Sequence, residues 1–160
     1  MLILSLITWI VAVYTLRTAL FGHPVYRLLN AYSVDFLQAV EHTVLSSKQN
    51  ISRDQAEFLQ QFSRISLLAL AAFVLELILL LIMWYMHIQT LLCLLLFSKN
   101  MTLVAAEISV MRHQREPGQL FLYLLELPQW LRNLYRGSAL LSGIAFAWLF
   151  VHITFGINAS

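Results

Sequence analysis

The stretch ISLLALAAFVLELILLLIMWYMHIQTLLCLLLFSKNMTLVAAEISVM, residues 65–111, decides the fold. It is apolar over about twice the ~20 residues that a helix needs to cross the hydrocarbon core of a bilayer. It is therefore either one long helix with an amphipathic tail or a tight hairpin of two spans. Charge placement favours the hairpin. If the chain folds back near His87 to Thr90, every Lys and Arg outside the apolar core falls on one side: Arg27, Lys48, Arg53 and Arg64 in one loop, Arg112, Arg115, Arg132 and Arg136 in the next. A three-span chain would scatter these residues over both sides, against the positive-inside tendency.

Working outward, Leu2 to Phe21 is a second apolar run of span length, ending at Gly22-His23-Pro24, where a helix stops naturally. No Lys or Arg precedes it and Arg17 lies inside its far end, so it reads as an uncleaved helix and not as a signal peptide. Residues 138–157 form the last run. The sequence thus predicts an all-α integral membrane protein with four transmembrane helices at about 2–21, 65–86, 89–111 and 138–157. Composition agrees: of 160 residues, 60% are hydrophobic and 11% charged, with a mean hydropathy of +0.76, whereas about a quarter of a soluble domain's residues are charged. There is no room for a separate soluble domain, so the whole chain, 1–160, is one transmembrane helical domain. A net charge of +2 gives no reason to expect nucleic acid as a partner. The single Cys93, inside an apolar run, reads as a small buried hydrophobe.

Both connecting segments look ordered. In the loop 22–64, Val34, Leu37, Val40 and Val44 recur at helical spacing among Asp35, Glu41 and His42. Ser52 followed by Gln55 is a capping-box pattern, and no Pro or Gly interrupts Arg53 to Met86, so one helix is predicted to run from the loop into the second span. The segment 112–137, rich in Leu, Phe and Tyr, carries Trp130 and is interrupted by Pro128. It reads as an interfacial amphipathic piece before the last span.

Four ionisable residues fall inside the predicted spans: Arg17, Glu76, Lys99 and Glu107. Such residues cost a few kcal/mol in hydrocarbon, so they usually face protein or water and have partners. With the turn near 87–88, Glu76 and Lys99 lie about eleven residues to either side of it, at matching depth near the midplane. Arg17 and Glu107 form a second candidate pair near the basic end, where both side chains can also snorkel outward. His87 and His152 share the opposite end and are weak candidates for a haem or metal site; the interfacial reading, with no metal, is preferred, because paired axial histidines must face each other inside a bundle. Ala139, Gly143 and Ala147 form a small-residue stripe on the last span that lets two helices approach closely.

No nucleophile elbow, phosphate-binding loop, zinc-protease helix or dinucleotide turn occurs, so no catalytic activity and no cofactor are expected. These features predict a small non-catalytic accessory or structural subunit of a larger membrane complex, with other integral membrane subunits and the lipid bilayer as partners. The alternative is an ion- or proton-translocating transporter or channel component using Glu76. A third reading is a haem-, quinone- or pigment-binding subunit using His87 and His152. The expected location is a multi-pass position in a membrane, by default a bacterial inner membrane, with both termini non-cytoplasmic.

Overall fold

The computed structural model describes residues 2–46, 51–113, 120–125 and 127–155, and all of its regular structure is helical. Helices follow in the order α1 (Leu2–Phe21), α2 (Pro24–Leu29), α3 (Val34–Leu45), α4 (Arg53–Tyr85), α5 (Thr90–His113), α6 (Leu120–Leu125) and α7 (Gln129–Phe155). Among the described residues four helices, α1, α4, α5 and α7, are long and apolar enough to cross a membrane. The loop around Lys48 and the stretch carrying Arg115 lie outside the described residues.

The hairpin of residues 65–111 forms as the charge pattern requires. α4 ends in a Schellman arrangement: Ile88 N–H donates to Met83 C=O at 2.9 Å and His87 N–H to Trp84 C=O at 3.0 Å. His87 occupies the left-handed position at φ 56°, a place glycine usually fills, and Gln89 follows at φ 47° before α5 begins. At its other end α4 is capped reciprocally, with Gln55 N–H donating to Ser52 Oγ at 3.3 Å and Ser52 N–H to Gln55 Oε1 at 3.1 Å. The 33 residues between these caps span about 50 Å at 1.5 Å per residue, well beyond the ~30 Å hydrocarbon thickness.

The surplus length of α4 is covered by a small cap at the basic end. Leu29, Leu37, Val40, Phe58 and Phe121, from α2, α3, α4 and α6, are buried together. Phe58 is the hub: its ring meets Tyr32 edge-on at 4.9 Å, Phe36 at 5.7 Å and Phe121 at 5.4 Å. α3 is started by Ser33, whose Oγ accepts from Phe36 N–H.

Within the bundle α1 and α7 make the closest pair, running antiparallel. Ser5 and Thr154 hydroxyls meet at 2.6 Å, Trp9 and Phe150 rings lie 5.0 Å apart, and Gly143 faces Leu16. A β-carbon placed on Gly143 would stand 2.6 Å from Leu16 Cδ2 and 3.2 Å from Leu16 N, so only glycine fits there unless the helices part. α1 contributes its own row of small and hydroxyl residues, Ser5, Thr8, Ala12 and Thr15, all buried. Thr8 and Thr15 donate back to the carbonyls of Leu4 and Val11 at 2.7 and 2.8 Å, which satisfies their hydroxyls without a partner helix. A second buried core joins the two pairs towards the α4–α5 turn, with Leu79, Leu80, Met83, Leu96, Phe146 and Leu149 at its centre.

The last helix departs from the sequence expectation. α7 begins at Gln129, ahead of the expected span at about 138–157, so Arg132 and Arg136 of the interfacial piece lie in the first turns of the same helix. Pro128 precedes the first turn, where its missing N–H is no loss, and its carbonyl accepts from Leu131 and Arg132 N–H at 2.9 and 3.2 Å.

Candidate functional site

Glu76 of α4 is 7% exposed, and its Oε1 gathers three donors from two other helices. Lys99 Nζ lies 3.2 Å away, Asn100 Nδ2 3.1 Å away, both from α5, and Ser142 Oγ of α7 donates at 3.1 Å. Lys99 also donates to Ser142 Oγ, so ammonium, hydroxyl and carboxylate close a ring. Adjacent residues on α5 reach one carboxylate because they diverge by only about 100° around the helix axis. Asn100 is 1% and Ser142 0% exposed. In a low-dielectric setting such charge-assisted bonds are strong, and leaving any of these groups unpaired is correspondingly costly.

The network closes one end of a cavity of about 420 Å³ between the α1–α7 and α4–α5 pairs. Glu76, Lys99 and Asn100 line it at one end; Glu107, His23 and Tyr135 line it towards the basic end. Tyr135 Oη donates to Glu107 Oε1, tying α7 to α5 a second time. His23, at the corner between α1 and α2, has a buried Nδ1 without a hydrogen-bond partner, and burial pushes its imidazole below the ordinary 6.5. Its ring forms a triangle with those of Tyr26 and Tyr135, at 5.4 and 6.3 Å between centroids, the two tyrosine rings being 6.2 Å apart.

Depth alone decided the other candidate pair wrongly. Arg17 is exposed on the outer face of α1 and has no ion-pair partner among the described residues; Glu107 takes Tyr135 instead, because the two residues match in depth but not in the direction they face. His87 is exposed in the α4–α5 turn, where it forms the C-terminal cap of α4, while His152 is half-buried on α7 with Nδ1 unpartnered. Of the small-residue stripe, Gly143 meets α1 at closest approach, with Ala139 and Ala147 partly buried to either side. Asn100, Ser142, Tyr135 and His23 were not among the site residues read from the sequence. Only the position of Asn100 beside Lys99 offered a clue, since a neutral amide next to a midplane charge is well placed to share its partner.

The fold and this site define a polytopic α-helical membrane protein with a buried ion pair at the junction of three of its four long helices. Comparison with protein-family models, with curated proteins and with solved structures finds no match for the chain.

Proposed function

We propose that the protein is a non-catalytic subunit of a larger integral-membrane assembly, and that α5 is the helix through which it joins its partner. The observation carrying this reading is the outward face of α5. Ser98, Thr102, Ala105 and Ser109 recur there at steps of four, three and four residues, all exposed, in a helix whose other outward residues include Leu94, Leu95, Met101 and Ile108. Small and hydroxyl residues at this spacing let a second helix approach closely in a bilayer. The same device joins α1 to α7 inside this chain. The Glu76 network supports a structural use of the intramembrane charges, since each member is engaged within the chain.

The concentration of Arg27, Arg53, Arg64, Arg132 and Arg136 at one end supports placing that end in the cytoplasm and the termini outside, in a bacterial inner membrane. A photo-cross-linking residue at position 102 tests the assembly. Cross-links to one other integral membrane protein, abolished by Ala105→Leu but absent from position 81 on α4, are expected; cross-links only to lipid would refute the reading.

A second reading rests on a separate observation. Glu76, Glu107, His23 and Tyr135 line one cavity, an arrangement that a proton relay between the midplane and the basic end would use. Its test is the double substitution developed in the Discussion.

A further inference from the structure

The basic end of the bundle holds a cluster that the ion-pair network leaves aside. Arg27 of α2 and Arg132 and Arg136 of α7 line one pocket of about 390 Å³ beside Gly22. The chain brings them together by two simple means. Gly22, at φ 81°, turns the chain from α1 into α2 and so carries Arg27 towards α7. Arg132 and Arg136, four residues apart, share one face of α7. The Arg136 guanidinium comes within 3.5 Å of where a β-carbon would stand on Gly22, and that of Arg27 lies 5.9 Å from the centre of the Phe21 ring. Three like charges converge, and among the described residues none of them has an ion-pair partner. An arrangement of this kind repels itself until an anion occupies it.

What kind of anion follows from the other side of the same wall. Phe21, Gly22 and Arg27 also border a groove of about 500 Å³ between α1, α2 and α4, whose walls include Tyr14, Leu28, Ile65, Leu68 and Ala69, with Arg17 as a further cation along it. A phosphate alone would fill the arginine pocket and leave this groove empty. A molecule with a phosphate at one end and an acyl chain at the other fills both, and the arginines stand at the end of α1, the depth at which headgroups lie. We propose that Arg27, Arg132 and Arg136 form a binding site for an anionic phospholipid, its phosphate among the guanidinium groups and an acyl chain against α1 and α4. Planar guanidinium groups suit phosphate oxygens, and basic pockets between transmembrane helices take such headgroups.

The test is native mass spectrometry of the detergent-solubilised full chain, titrated with phosphatidylglycerol and, separately, with phosphatidylcholine of the same acyl chains. One phosphatidylglycerol is expected to bind in preference to phosphatidylcholine. Arg132→Gln with Arg136→Gln should weaken it about twenty-five-fold, at about fivefold for each arginine, while Arg53→Gln, on the far part of α4, should leave it unchanged. Equal binding of the two lipids by the unmodified protein would overturn the proposal without reference to any variant. So would a double variant that binds like the parent. Displacement of the lipid by millimolar inorganic phosphate would assign the pocket to a free anion and overturn it likewise.

Discussion

Replacing Glu76 by Gln leaves the Lys99 ammonium in the middle of the bundle with two neutral acceptors, an amide oxygen and the Ser142 hydroxyl. Lys99 is 17% exposed at its side chain, and no second carboxylate is hydrogen-bonded to it among the described residues. The cost is that of one uncompensated charge near the bilayer centre, about 3 kcal/mol on insertion scales, which lowers the folded-to-unfolded ratio by about a hundredfold. Lys99→Gln is expected to be milder. The carboxylate keeps Asn100 and Ser142 as donors at 3.1 Å each, and the new amide can supply a third. Hydrogen bonds to a charged group contribute about 1.5–3 kcal/mol each, so the two remaining donors offset much of the loss. The double variant has no charge to compensate and should recover about 2 kcal/mol relative to the sum of the single losses, within the range of coupling for residues in contact.

Equilibrium unfolding in mild detergent, followed by circular dichroism, gives all four corners of this cycle. Additive losses, or single variants as stable as the parent, would refute the view that the charges compensate each other. The same double variant separates the two functional readings. If it assembles normally and the host process it serves continues, the pair is structural; if it assembles normally and the process stops, the relay through Glu76 is the better account.

Three further outcomes are expected. Gly143→Ala should destabilise the bundle by about 1–3 kcal/mol, the range for overpacking, because its new methyl would meet Leu16 at 2.6 Å; an unchanged unfolding midpoint would show that α1 and α7 are not this close. His87→Gly should stabilise by about 1 kcal/mol, since the left-handed position at φ 56° costs a non-glycine residue about 1–2 kcal/mol and glycine's added freedom in the unfolded chain offsets part of the gain. His23, lowered by burial, binds fewer protons folded than unfolded between its folded value and 6.5. Stability is therefore fully present above 6.5 and declines as pH falls through the folded value. His23→Phe, which keeps the ring contacts, should flatten that part of the pH profile, and an identical slope in variant and parent would count against the burial.

The spans were legible because hydrocarbon imposes a length and a sign rule that a sequence displays directly. Glu76 and Lys99 were legible for a related reason: equal distance from a turn fixes equal depth. Rotation about the helix axis is a different quantity, and depth carries no information on it. Arg17 and Glu107 show the consequence, since they match in depth and point apart. Asn100 and Ser142 were missed because neutral polar residues raise no alarm in an apolar run; their importance comes from the carboxylate opposite them. The start of α7 was displaced for yet another reason. Arginines at 132 and 136 argue against hydrocarbon, but a helix is free to continue past the membrane boundary, and α7 runs through Gly137 without a break.

The position of the ion pair along α4 bears on what this chain does alone. One turn beyond Glu76, Leu79 and Leu80, and a turn further Met83, enter a close-packed core with Leu96, Phe146 and Leu149, whereas one turn before it Phe73 and Ala72 border the cavity. Glu76 therefore stands at the boundary between a filled half of the bundle and a hollow one. Groups on the hollow side lead towards His23, Tyr135 and the arginines; on the other side the buried core is apolar. A relay through a carboxylate so placed would open towards the basic end, along the cavity it lines, and not towards the α4–α5 turn. Complete translocation through this chain would require the leucine-rich core to part, at a cost set by the several buried side chains it would expose. A conduit formed jointly with a neighbouring helix on α5 avoids that cost, because the opposite side of the route would then be supplied by the partner. For this reason even the relay reading of Glu76 favours a protein that works as one component of an assembly.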